Sequence, residues 1–136
     1  MYEYDFTVTR VIDGDTVIGD IDLGFGVVLK ARTIRLNGVN TPETRSKNLA
    51  EKALGKKAKA FVEENILGKS VTLKTIKDKK GSFGRILGNI YWICEDGYYL
   101  NMAEYLIYSK LGVEYSVKDS TKVKKALIED LIEINA

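Results

Sequence analysis

A mainly β, α+β fold is what the sequence predicts: a five-stranded Greek-key barrel of the OB type carrying three helices. Three observations lead there. Three strand-like runs open the chain with no helix between them, which argues against a doubly wound parallel sheet. A segment of helical period comes next, followed by two more strand-like runs and two helical ones. Five strands with a helix between the third and fourth suit a small OB barrel. The 136 residues fit one domain, residues 1–136, with no internal repeat or linker.

Each element has a local cause. Residues 6–12 alternate apolar and polar side chains and are rich in Val and Thr, the pattern of a strand. Asp13-Gly14-Asp15 is a turn signal. Residues 16–21 form a second strand, and the two glycines of 22–26 a hairpin connection. Residues 27–36 form a long third strand, where two-residue periodicity puts Val27, Leu29, Ala31, Thr33 and Arg35 on one face. A polar loop over 38–47 holds the single proline, Pro42. From Leu49 the period changes, with Leu54, Ala58, Phe61 and Ile66 at helical spacing. Gly68 stops that helix. Residues 71–76 and 85–93 are the fourth and fifth strands, joined by a basic loop over 77–84. The turn Glu95-Asp96-Gly97 precedes a helix over 99–111. The last helix, over 121–134, carries Val123, Leu127, Leu131 and Ile134 on one stripe.

Composition narrows the chemistry. No apolar run approaches the roughly 20 residues of a membrane span. Residues 1–5 carry no basic patch followed by an apolar stretch, so no secretory signal is read there. The expected location is the cytoplasm for a complete chain, and outside the cell if a leader has been removed. The single cysteine, Cys94, is expected as a buried, inert thiol. The net charge is only +2, so any basic surface must come from clustering. The lysines around 52–59 and 74–80 are the concentration the sequence offers. There is no histidine, which removes the commonest general base and transition-metal ligand. Catalysis at neutral pH then falls to a carboxylate, a lysine, a tyrosine or a metal-bound water, and any metal would be a hard cation held by oxygens.

Three decoys fail. Counted from Asp13, an EF-hand would need Gly and Glu where this chain has Ile18 and Gly24. Gly68-Lys69-Ser70 lacks the upstream glycine of a P-loop, where Glu63 stands. Gly24-Phe25-Gly26 lacks the third glycine of a dinucleotide fingerprint.

What remains is spread over the chain: Asp13-Gly14-Asp15-Thr16 at a strand junction, Arg35 ending the third strand, Asn40-Thr41-Pro42-Glu43 opening the loop after it, and Gly84-Arg85 opening the fifth strand. The stretches "VIDGDTV", "IRLNGVNTPET" and "FGRILGNIYW", in that order, resemble the staphylococcal nuclease (thermonuclease) family. The similarity runs over residues 6–115 and takes in the helix "EKALGKKAKAFVEENI".

The resemblance implies calcium-dependent hydrolysis of DNA and RNA phosphodiesters with little sequence preference, leaving 3′-phosphate ends. Flexible or single-stranded nucleic acid would be the substrate and a monomer the active form. Arg35 and Arg85 would fork onto the phosphate, a task suited to a planar guanidinium. Glu43 would orient or deprotonate the attacking water. Asp15, the side-chain oxygen of Asn40 and the carbonyl of Thr41 would hold Ca2+. Phe83, Tyr115 and Lys47 would contact the nucleic acid. Four positions depart from the family. Asn40 stands where its best-known members carry aspartate, so calcium binding is expected to be weaker. Ser82-Phe83 replaces a lysine–tyrosine pair, and Val117 replaces one of two tyrosines near the base pocket. These departures support an alternative, an OB module that binds nucleic acid without cutting it. Retention of Glu43 with both arginines favours the enzyme.

Overall fold

The computed structural model describes residues 2–80, 84–116 and 119–136, with side chains at 77–80 outside the description. Among the described residues there are eight strands and three helices. They run β1 (Tyr2–Asp13), β2 (Thr16–Asp22), β3 (Val28–Leu36), β4 (Val39–Asn40), α1 (Leu49–Ile66), β5 (Ser70–Lys80), β6 (Ile86–Ile93), β7 (Tyr99–Asn101), α2 (Met102–Tyr108), β8 (Val113–Glu114) and α3 (Thr121–Ile134). The sheet order is β3-β2-β1-β5-β6-β7. A parallel pairing of β3 with β6, Arg35 opposite Leu87, closes the first five of these into the expected OB barrel. β4 and β8 form a separate short ladder.

The barrel interior is apolar, with Phe6, Val8, Val17, Ile34, Leu36, Leu73 and Ile90 fully out of solvent. Closure needs strong curvature, and register shifts at Val8/Arg10 and Val11/Asp13 in β1 supply it. A further shift between β2 and β3 lies beside Ala31, whose φ is +54°. That bulge breaks the single face expected along β3: only Ile34, Arg35 and Leu36 are buried, while Ala31 and Val28 are exposed. The Asp20 carboxylate holds the bulge by accepting from the Ala31 amide at 2.9 Å.

Two helical expectations change. The helix expected over 99–111 is a strand followed by a shorter helix. Tyr99 to Asn101 pair with β6 across the turn at 95–97, and the Asn101 side chain then caps α2 by accepting from the Glu104 amide. In α3 the bounds hold but the buried side is rotated by one residue. Ile128 and Leu131 are buried, whereas Val123 and Ile134 are 45% and 60% exposed. Only one side of α3 rests on α1 and β8. The fourth strand reaches Lys80 rather than stopping at Ile76, and Cys94 is half-buried rather than buried.

Candidate nucleic-acid cleft

The turn between β1 and β2, the end of β3, the loop after β4 and the side of α3 enclose a cleft of about 780 Å³. Asp15, Arg35, Asn40, Thr41, Glu43 and Arg85 all line it, as do Lys47 and Tyr115. Phe83, Ser82 and Val117 lie outside the described residues.

Asp15 sits at the mouth of β2 and is 7% exposed. A buried carboxylate has to be hydrogen-bonded. Its Oδ1 accepts from the Thr16 hydroxyl at 2.9 Å and its Oδ2 from the Thr41 amide at 2.9 Å. This second bond ties the β1–β2 turn to the loop 26 residues on.

Arg35 is also 7% exposed. Its Nη1 donates to the carbonyls of Leu36 and Val39, both at 2.8 Å. Its Nη2 donates to Asn40 Oδ1 at 3.3 Å and lies 3.5 Å from Asp15 Oδ2. The fork is therefore narrower than a free guanidinium would offer. Nη1 is spent on the backbone, and Nη2 is shared between Asn40 Oδ1 and the Asp15 carboxylate. The guanidinium carbon stands 4.8 Å from the Tyr115 ring centre. Lys124 Nζ stands 4.5 Å from the same ring and donates to its hydroxyl at 3.3 Å. Two cations thus flank one aromatic ring.

Glu43 is exposed, on a loop pinned from both sides. The Asp13 carboxylate accepts from the Thr44 hydroxyl at 2.7 Å and from its amide at 3.2 Å. Glu51, in the first turn of α1, accepts from the Glu43 amide and from the Ser46 hydroxyl, each at 3.1 Å. Asn48 caps the same helix end by accepting from the amides of Ala50 and Glu51. Pro42 is buried beneath the loop. Helix α1 can approach this closely because Gly55 has no Cβ: one built there would come within 2.8 Å of Pro42 O and Glu43 C.

The sequence shows Asp13 only as part of the turn motif and assigns no role to Glu51 or Lys124. The spacing Asn48-Leu49-Ala50-Glu51 is a capping-box signature that could have exposed Glu51. Among the described residues Lys47, Lys124 and Lys125 line the cleft, and Lys74 pairs with Glu3 at 3.1 Å and lies 4.5 Å from the Tyr91 ring centre. The side chains of the other lysines expected over 74–80 lie outside the described residues.

The oxygens around Asp15 fit a hard cation in kind, being a carboxylate, an amide oxygen and a carbonyl. Among the described residues no three His, Cys, Asp or Glu gather into a metal cluster. The donor set thus carries little charge. Thr41 Oγ1 is buried without a hydrogen-bond partner.

Residues 33–131 match the family model described as staphylococcal nuclease homologue. The chain is 36% identical over 89 residues to a thermonuclease of Staphylococcus hyicus, covering 65% of this chain and 49% of that protein. It is 32% identical over 99 residues to a thermonuclease of Staphylococcus intermedius, covering 73% and 55%. It is 35% identical over 106 residues to the endonuclease YhcR of Bacillus subtilis, covering 74% of this chain and 8% of that protein. The chain thus spans about half the length of the two thermonucleases. A family match over this stretch, which includes Arg35, Asn40, Glu43 and Arg85, means that the chain belongs to the staphylococcal nuclease homologue family.

Proposed function

We propose that residues 1–136 form a single domain that acts, as a monomer, as a calcium-dependent nuclease on flexible or single-stranded DNA and RNA. The observation that carries this reading is the convergence of Asp15, Arg35, Asn40, Glu43 and Arg85 on one cleft from four separate stretches of chain.

Attack of water on a phosphodiester adds charge to the non-bridging oxygens, and catalysis needs cationic groups placed to meet it. Arg35 brings to the phosphate a guanidinium held in place by two backbone carbonyls. Arg85, on the same cleft, is the second clamp. Glu43 takes a proton from the water as the water oxygen bonds to phosphorus. The bond from phosphorus to the 5′-oxygen breaks, a proton passes to that oxygen, and the phosphate stays on the 3′ side. Asp15, Asn40 Oδ1 and the Thr41 carbonyl would hold the calcium ion, whose chemistry is to neutralise charge on the phosphate oxygens. Tyr115, Lys47 and Phe83 complete the nucleic-acid contacts.

A second reading, a module that binds nucleic acid without cutting it, is favoured by one observation. Asn40 leaves Asp15 as the sole carboxylate among the proposed ligands. Digestion of single-stranded DNA and of RNA across a wide calcium range separates the two. Chelator-sensitive cleavage is expected. Salt-dependent binding with no cleavage at any calcium concentration would leave the second reading standing.

A further inference from the structure

A second groove, of about 450 Å³, adjoins the cleft, and among the described residues Tyr115 is the one that lines both. Its floor follows from strand register. Arg35 lies opposite Leu87 and Leu36 opposite Gly88, and the Asn37 amide donates to Gly88 O at 2.8 Å. Just past the end of β3, Asn37 lines the groove together with Asn89. Side chains alternate along a strand, so Asn89 and Tyr91 share a face with Leu87. Tyr91 pairs in turn with Asn101. The surface that begins at the Arg35 guanidinium therefore continues across β6 to β7.

The lining changes character along that path. The cleft holds Arg35, Lys47, Arg85, Lys124 and Lys125. The described lining of the groove holds no lysine or arginine, and two exposed carboxylates, Glu104 and Glu114, stand at it instead. An anionic phosphate is unwelcome there. Asn37 and Asn89 are half-buried, and neither side-chain carboxamide bonds to another of the described residues. Polar side chains held half out of water without a protein partner turn their bonding capacity toward the groove. The Tyr91 ring is already occupied, stacked on Tyr99 at 5.2 Å. Hydrogen bonding, rather than stacking, is what the groove has to offer.

We infer that this groove is a nucleobase subsite for a base carrying an exocyclic amino group, on a nucleotide whose phosphate lies in the cleft. The carboxylates of Glu104 and Glu114 can only accept, so they favour an amino group, as in cytosine or adenine, over the carbonyl at that position in thymine or uracil, whereas the carboxamides of Asn37 and Asn89 can bond either. The inference rests on the nucleic-acid reading of the cleft and adds a base preference to it.

The test compares oligomers of deoxycytidine and deoxyuridine, which differ at that one substituent. Binding is measured by fluorescence anisotropy at low salt with calcium present, in the slowly cutting Glu43→Gln background, so that the cleft is tested loaded and little is cut. The protein should bind the cytosine oligomer about tenfold more tightly, the ratio that a good base contact gives. The double variant Asn37→Leu, Asn89→Leu should weaken binding of both oligomers. The exposed pair Glu104→Gln, Glu114→Gln, which does not disturb the barrel, should bring the ratio near one. A ratio near one in the parent background, or a ratio unchanged in the glutamine pair, overturns the subsite and leaves the cleft reading intact. Failure to bind either oligomer overturns the cleft reading and the subsite together.

Discussion

Arg35 Nη2 lies 3.5 Å from Asp15 Oδ2, with the two side chains only 9% and 10% exposed. The contact links the first turn of the barrel to the strand that closes it. Removing one partner of a buried pair strands the other's charge, at a cost of about 3 kcal/mol. Asp15→Ala is therefore expected to lose about that much stability in urea denaturation. Asp15→Asn, which can still accept from the Thr41 amide, should lose less. Wild-type stability in Asp15→Ala would show that the pair is not structural.

Glu43 depends on a residue that never touches the cleft. Gly55→Ala normally helps a helix by about 1 kcal/mol. Here the new Cβ would meet the backbone of Pro42 and Glu43 at 2.8 Å, and backbone cannot rotate away. The expected result is a net loss of about 1–2 kcal/mol, together with a fall in turnover as the Glu43 loop is displaced. A Gly55→Ala variant as stable and as active as wild type would show that the close approach is unimportant.

Asn40 brings an amide oxygen, without charge, to within 3.3 Å of Arg35 Nη2. Asn40→Asp adds a carboxylate beside both the guanidinium and the proposed calcium ligands. Isothermal titration should show calcium binding tightened by about tenfold or more, since ligand charge tunes such sites over decades. An unchanged titration would remove position 40 from the ligand set.

The Asp20 carboxyl is held below its ordinary value of 3.8, chiefly by the hydrogen bond from the Ala31 amide and secondarily by Lys30. A carboxyl whose folded value is depressed adds stability above its unfolded value, and that stability is lost as pH falls through the folded one. Stability measured from pH 6 down to pH 2 should therefore fall less steeply in Asp20→Asn than in wild type. Parallel curves would show that the bulge at Ala31 is held by other means.

Strands and helices were legible wherever one period dominated. The bounds of α3 follow from its apolar repeat, and the Ser120 side chain caps it by accepting from the Val123 amide, yet the buried side does not follow. Among the α3 positions that line the cleft is Lys124, whose ammonium serves the Tyr115 ring. A hydrophobic stripe cannot reveal a seam that contains a lysine. The strand Tyr99–Asn101 was read as helix because its apolar residues suit either period, and only the hairpin partner, β6, decides it. The face of β3 failed for a similar reason: a bulge at Ala31 shifts the alternation, and no residue type there announces it. The cleft residues were legible as motifs because turns and loops carry distinctive residue types. The groups that hold them, Asp13 and Glu51, look like ordinary surface carboxylates until their hydrogen bonds are seen.

The central claim is that Glu43 acts on water while Arg35 and Arg85 hold the phosphate. The most direct measurement compares turnover and binding in Glu43→Gln. The residue is exposed and its backbone is anchored by Glu51, so the fold should survive. Oligonucleotide affinity should stay within a few fold of wild type, while turnover in saturating calcium should fall by about 10² to 10⁴. Turnover equal to that of the wild type, at unchanged affinity, would contradict the account.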